Sequence, residues 1–256
     1  MRRLQTRAGR REAGAFVVEG PQSIREALQF DADIRTLFVT QPATARHADL
    51  VALAHQRGIE VIEATDEVVE AMAETDAPQG MVAACALPTA GLGDAIRPQA
   101  SVVILENLAD PGNVGTIIRT ADAVGASGVV LTHGSVDPWN GKCVRSTAGS
   151  IFHLPVVPEA PIGAAITAAR TAGLTVAAAT GDGEADLYDW LATAPAGICW
   201  IFGSEAHGVS DEAKAQADVR IRIPMVGAAE SLNVATATAV CLYAAAFGAH
   251  GRMAGL

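Results

Sequence analysis

Two α/β domains are predicted for this 256-residue chain, from three features of its sequence. Strand-like and helix-like segments alternate from end to end. The strand-like runs are apolar throughout, which is the pattern of parallel sheets covered by helices on both faces. A stretch rich in proline and glycine, "LPTAGLGDAIRPQA" from Leu87 to Ala100, follows neither period and separates the two sets of segments. The boundaries expected are a first domain over residues 1–90, a linker over 91–100 and a second domain over 101–256.

The first domain reads in order as strand "FVVEG", helix "QSIREALQF" and strand "TLFVT". Helix "ARHADLVALAHQRG", strand "EVIEA", helix "DEVVEAMAE" and strand "GMVAACAL" complete it. From Ser101 the alternation resumes with strand "SVVILEN" and the helical stretch "NLADPGNVGTIIRTAD". There follow "GVVLTHG", "KCVRSTAGSIF", "LPVV", "IGAAITAARTAG", "LTVAAAT", "GICWIFG" and "VRIRIP". A long C-terminal helix is expected from Ser231, over "SLNVATATAVCLYAAAFGAHG". It is apolar nearly all round, as a helix buried on several sides would be. The alanine-rich helices are ordinary helix formers rather than a biased segment.

Half of the residues are hydrophobic, so a sizeable core is available and bulk disorder is excluded. No apolar run approaches the length that crosses a bilayer. The basic start "MRRLQTRAGRREAGAF" lacks the apolar stretch of a secretory signal. Cys85, Cys143, Cys199 and Cys241 lie far apart, and neither they nor the six histidines have metal-ligand spacing. A reduced, cytoplasmic protein without a metal is therefore expected. The net charge of −10 argues mildly against an acidic partner. Yet Arg2, Arg3, Arg7, Arg10 and Arg11 cluster in the first eleven residues, either as a frayed, solvated terminus or as a local phosphate-binding arm.

In open α/β sheets, ligands bind beyond the carboxyl ends of strands. Four such ends carry polar or glycine-bearing loops here: "ENLADPGNVG", "TGDGEAD", "FGSEAHGVS" and "PMVGAAESLN". Neither the dinucleotide fingerprint nor a phosphate-binding G-x-x-x-x-G-K-[ST] loop is present, and no G-x-S-x-G elbow marks a hydrolase. The polar candidates are Asn113, Arg119, Glu205, Ser231 and Asn233. Taken singly, each also has a structural reading: Asn113 and Ser231 as N-caps, Asn233 and Glu205 as partners of turn amides, Arg119 as an ion-pair partner of Asp122 or another acid.

Taken together they resemble something specific. "NLADPGNVGTIIRTADAVGASGVVL", "IFGSEAHGVS" and "IPMVGAAESLNVATATAV" resemble, in this order, the three motifs of the SpoU-type RNA 2'-O-ribose methyltransferases of the SPOUT superfamily. The resemblance spans residues 101–252, and "KCVRSTAGSIFHLPV" is similar to the family's region after the second strand. "FVVEGPQSIREAL" and "QGMVAACALP" are similar to the family's N-terminal RNA-binding extension, a small α/β/α domain like a ribosomal protein. The resemblance implies a parallel-sheet domain with a deep trefoil knot, a topology otherwise essentially absent. It implies S-adenosylmethionine held by Gly203, Ile223 and Leu232, with Thr180 and Met225 as further contacts. It also implies a catalytic set of Arg119, Asn113, Glu205, Ser231 and Asn233, a homodimer, and RNA as substrate, ribosomal RNA before tRNA. A small-molecule nucleotide enzyme and a non-catalytic RNA-binding assembly factor are the competing readings. Arg25, Arg35, Arg46 and Arg57 either join a basic RNA-facing patch or are scattered solvent-facing residues.

Overall fold

The computed structural model describes residues 1–247. In chain order these form α1 (Arg7–Ala13), β1 (Ala15–Glu19), α2 (Pro21–Gln29), β2 (Ile34–Val39), α3 (Gln41–Arg46) and α4 (Ala48–Gln56). Next come β3 (Glu60–Glu63), α5 (Asp66–Met72), β4 (Met81–Ala86), α6 (Leu92–Ala95), β5 (Val102–Glu106) and α7 (Pro111–Ala123). They are followed by β6 (Val129–Thr132), α8 (Gly141–Ser146), β7 (Val156–Ala160), α9 (Ile162–Thr171), β8 (Thr175–Ala179) and β9 (Ala185–Asp186). The last are α10 (Leu187–Leu191), β10 (Ile198–Gly203), α11 (Asp211–Gln216), β11 (Val219–Arg222) and α12 (Val234–Phe247).

Two compact units result. The first comprises Met1–Thr89 together with Asp137–His153, and the second Ala90–Val136 with Leu154 onward. This differs from the sequence expectation in two places. The segment 137–153, which the sequence assigned to the second domain, packs with the first because its apolar rings fill that unit's core. Trp139 lies 5.0 Å from Phe16, ring centre to ring centre, and Phe152 lies 6.2 Å from it. The stretch expected as a linker belongs to the second unit and is ordered. It carries α6, whose Ala95 and neighbouring Ile96 are buried in the core.

The first unit holds a four-stranded sheet in the order β1-β4-β2-β3. It is mixed rather than parallel: β4 runs antiparallel to both neighbours, and only β2 and β3 are parallel. The apolar runs of β1 and β4 reflect burial on two faces, which does not by itself fix direction. One face of β1 presents Ala15 and Val17 to Leu4, Val69, Met72 and Val82. Arg35 donates to the carbonyls of Ala13 and Gly14, and Arg57 to those of Leu28 and Ala32, so both bind helix ends.

The second unit is built on a seven-stranded sheet in the order β7-β6-β5-β10-β8-β11-β9, with every pairing parallel. Strands β5 and β6 are buried along their whole length. Val102, Ile104, Cys199 and Ile201 face α6, α9 and α11. Trp200 and Phe202, which alternate with them along β10, lie on the opposite face, where Trp200 packs edge-on against Trp190 of α10. The C-terminal helix begins at Val234, not at Ser231, and its expected continuation over residues 248–251 lies outside the described residues. Tyr243 and Phe247 remain about half exposed.

Burial pushes the thiols of Cys85, Cys199 and Cys241 up from the ordinary 9.0 to about 12. These groups hold protons more tightly when folded, so stability is full below pH 9 and is expected to fall as pH rises toward 12. The same burial predicts that a thiol-specific disulfide reagent at pH 8 labels these three only when denaturant unfolds the chain. Rapid labelling of the native protein at any of them contradicts their placement.

Candidate active site

Three loops of the second unit converge beyond the carboxyl ends of β8, β10 and β11. They line a cavity of about 540 Å³, within the range of sites for cofactor-sized ligands. All five residues expected to hold a cofactor are there: Thr180, Gly203, Ile223, Met225 and Leu232. Glu205, Ser231 and Asn233 of the expected catalytic set line it as well, whereas Asn113 and Arg119 do not. Lys214, Asp182, Glu230 and Ser204 also line it; they carry no sequence pattern beyond their position in or after these loops.

Each loop has a local physical reason for its shape. After β10, the turn "GSEAHG" closes on itself. Gly208 N donates to the Ser204 carbonyl at 2.7 Å, and Gly208 adopts a positive φ of 65°. Gly203 lies so close beneath this closure that a Cβ would overlap the Gly208 carbonyl and Val209 N. The loop's far end is tied to β5: the buried Glu106 carboxylate accepts from Ser210 N at 2.8 Å and Ser210 Oγ at 2.6 Å. Sequence reasoning did not single out Glu106, and its position at the end of an apolar strand was the only available signal. After β8, Thr180 N donates to the Ile221 carbonyl at 2.8 Å, extending the pairing of β8 with β11. Between Ile223 and Leu232 no hydrogen bond forms among the described residues, and Val226 is fully exposed.

The polar rim joins two helix starts. Pro111 sits in the first turn of α7 and Asp110 caps it, accepting from Asn113 N at 2.8 Å. Asn113 is therefore not the cap, and its side chain is available for a distant partner. Asn233, not Ser231, caps α12: its Oδ1 accepts from Ala235 N at 2.9 Å and Thr236 N at 3.3 Å. The Asn233 amide donates to Asn113 Oδ1 at 3.2 Å, and the Asn113 amide donates to Glu205 Oε1. Three of the five expected catalytic residues thus form one chain of hydrogen bonds. The Glu205 carboxylate ends that chain near the first turns of both helices, where the helix dipoles favour negative charge. Ser231 lines the cavity but makes no hydrogen bond to another described residue.

Arg119 is set apart. The buried face of α7 carries Val114, Ile117, Ile118 and Ala121. Arg119 is exposed because it falls outside that stripe. It lies about 9 Å further along the axis than Asn113. No hydrogen bond or ion pair ties it to another described residue, so a structural pairing with Asp122 does not account for it.

The cavity's polarity suits a cationic ligand with an aromatic body. Asp182, Glu205 and Glu230 outnumber Lys214, while Phe202, Ile221, Ile223 and Leu232 supply apolar surface. Thr180 Oγ1 is buried and closes no hydrogen bond of ordinary geometry among the described residues. It nevertheless lies near enough to Asp182 to be the main influence holding that exposed carboxyl below its usual range. A buried hydroxyl in the wall of a cavity, drawn toward a single carboxyl, keeps polar capacity that a ligand can use.

Comparison with known proteins bears on this arrangement. Residues 100–243 match the family model of the SpoU rRNA Methylase family, and residues 1–83 match the MRM3-like substrate binding domain. The 23S rRNA (guanosine(2553)-2'-O)-methyltransferase RlmP of Bacillus subtilis strain 168 is 32% identical over 242 residues, covering 94% of this chain and 92% of that protein. The 23S rRNA (uridine(2479)-2'-O)-methyltransferase of Streptomyces viridochromogenes is 32% identical over 248 residues, or 94% of this chain and 86% of that protein. The crystal structure of an AdoMet-bound rRNA methyltransferase from Sinorhizobium meliloti superposes with a TM-score of 0.85 at 33% identity, over 95% of this chain and 91% of that one. With both parts of the chain matched and the motif residues gathered at one cavity, the protein belongs to the SpoU rRNA methylase family.

Proposed function

We propose that this enzyme transfers the methyl group of S-adenosylmethionine to a ribose 2'-hydroxyl of ribosomal RNA. The observation that carries the reading is the Asn233–Asn113–Glu205 chain at the rim of a cavity lined by all five expected cofactor residues. When bound, S-adenosylmethionine supplies a methyl group activated by a neighbouring sulfonium. Backbone groups around Gly203 and Leu232 and the Thr180 hydroxyl would meet its polar edges, and Ile223, Met225 and Leu232 its apolar faces. The excess of carboxylates around the cavity suits its positive charge.

The protein's own tasks are orientation and proton handling. A guanidinium stays protonated, so Arg119 serves as an anchor rather than a base. Its planar fork binds the phosphate beside the target ribose and stabilises charge growing on the 2'-oxygen. Glu205, oriented by Asn113, retains acceptor capacity for the hydroxyl's hydrogen. Ser231 and Asn233 shape the loop that faces the same ribose.

Asn233 separates two roles. Asn233→Asp keeps a good N-cap but replaces the amide that donates to Asn113, so stability is expected to stay within about 0.5 kcal/mol while methyl transfer falls. Asn233→Ala loses the cap as well, at about 1 kcal/mol in urea unfolding. Equal activity in both variants and the wild type would remove the hydrogen-bonded chain from the mechanism.

Self-association through the second unit belongs to the same proposal. Tyr243 and Phe247 stack at 5.6 Å on the exposed side of α12, and Met225 and Val226 expose apolar surface on the nearby-in-sequence loop. The reading also includes the trefoil knot and a cytoplasmic setting, where the four buried cysteines stay free thiols. The test is transfer of labelled methyl groups to unmodified 23S rRNA, 16S rRNA and tRNA, each presented separately. Ribose-linked label on one rRNA supports the reading; label on tRNA alone moves the substrate, and cofactor binding without transfer favours the non-catalytic alternative.

A further inference from the structure

Lys214 is the only lysine or arginine on the wall of the second unit's cavity among the described residues, against three carboxylates, Asp182, Glu205 and Glu230. Its place follows from how α11 begins. Ser210 caps that helix: its Oγ accepts from Ala213 N at 3.1 Å, and its carbonyl accepts from Lys214 N at 2.9 Å. Ser210 is itself held by the buried Glu106 carboxylate. Ala213 is fully buried in the core, so the helix start cannot shift without opening that packing. The Lys214 side chain, 25% exposed, therefore stands at the cavity wall on a fixed backbone.

The contacts of this ammonium within the protein leave it capacity for a ligand. Its ion pair with Asp211 is long, at 3.9 Å, and the Asp211 side chain is fully exposed, where such pairs contribute little. Asp182 is near enough to feel its charge: that carboxyl is held below its usual range first by the Thr180 hydroxyl, then by its own backbone amide and then by Lys214. No hydrogen bond from Nζ to another described residue uses any of its three donors.

S-adenosylmethionine carries two cationic groups, the sulfonium and the α-ammonium, and one anionic group, the α-carboxylate. The three carboxylates of the cavity suit the first two and repel the third. The apolar surface of Phe202, Ile221, Ile223 and Leu232 suits the adenine ring and offers a carboxylate nothing. We propose that Lys214 binds the α-carboxylate of the cofactor and so recognises its amino-acid end. This rests on the methyltransferase reading and deepens it. With the adenine on the apolar wall and the carboxylate on Lys214, both ends of the cofactor are fixed, and the methyl group keeps the single orientation that transfer requires. The same contact discriminates against adenosine compounds without an amino-acid end, which the apolar wall alone would accept.

The experiment compares the full-length wild type with Lys214→Met and Lys214→Arg by calorimetry. Two probes are titrated: S-adenosylhomocysteine, and 5'-methylthioadenosine, which keeps the adenosine and the thioether but lacks the amino-acid end. Lys214→Met is expected to weaken S-adenosylhomocysteine at least about tenfold, the usual loss for one hydrogen-bonded charge contact, and to leave methylthioadenosine within about twofold. The unchanged second probe is also the control for folding. Lys214→Arg keeps the charge and is expected to recover most of the loss. The difference between wild type and Lys214→Met should shrink as salt is raised, because Lys214 is partly exposed. Unchanged S-adenosylhomocysteine affinity in Lys214→Met overturns the inference. So does an equal loss for both probes, which would make Lys214 a structural part of the wall. Either result leaves the methyltransferase reading intact, whereas a wild type that binds neither probe overturns that reading itself.

Discussion

Gly203→Ala is expected to remove both the cavity and much of the stability of the second unit. The new methyl would fall inside the Gly208 carbonyl and Val209 N, which are backbone atoms of a closed turn. Relief requires opening the Gly208–Ser204 closure or shifting the end of β10, which pairs with β5 as far as Gly203 itself. The cost is expected to exceed about 4 kcal/mol, in the range reserved for overpacking against structure that cannot yield. Urea unfolding measures it, and calorimetry should find no cofactor binding. Gly181→Ala is the control. It lines the same cavity, but nothing lies within 4 Å of its added methyl, so the change should cost less than about 1 kcal/mol. Equal tolerance at both positions would contradict the close backbone approach at Gly203.

Arg119→Ala should show the opposite profile: a stable protein that binds cofactor and transfers almost no methyl. Arg119 is exposed and bonded to no other described residue, and alanine is the better helix former, so the melting temperature should move by no more than about 1 °C. The residue does not line the cavity, so cofactor affinity should be unchanged. Methyl transfer is expected to fall on the order of a hundred- to a thousandfold, the usual loss when a preorganised charge stabilising the transition state is removed. Arg119→Lys keeps the charge without the fork and should fall between the two. Alanine activity within about threefold of wild type would take Arg119 out of the mechanism and leave its exposure unexplained.

Much of this site was legible in local sequence. The strands after which its loops lie are short apolar runs, and burial on both faces makes such runs conspicuous. Glycines at 181, 203 and 208 marked where the backbone turns or is approached. The resemblance then pointed to five residues expected to contact a cofactor, four of them within two of the three ordered motifs, and all five line a single cavity. Cap assignment was less legible. Asp110 and Asn113 are both good capping residues three positions apart, as are Ser231 and Asn233 two apart. In each case the choice depends on which side chain meets the first free amides, and that follows from where the chain enters the helix.

Local pattern determines whether a segment is a strand or a helix and which stripe is apolar, because each depends on neighbours within a few residues. It was therefore enough for the element types, for the division into two α/β parts and for the family. Strand direction, strand order and partners across the sheet depend on which packing buries the most apolar surface at once, and no single segment carries that information. Only the folded chain set β4 antiparallel between β1 and β2, and only it moved Trp139 and Phe152 onto Phe16 in the first unit. The same is true of the hydrogen-bonded rim, where Asn113 meets Glu205 across 92 residues and Asn233 across 120. Packing of α7 through its apolar stripe likewise left Arg119 in solvent.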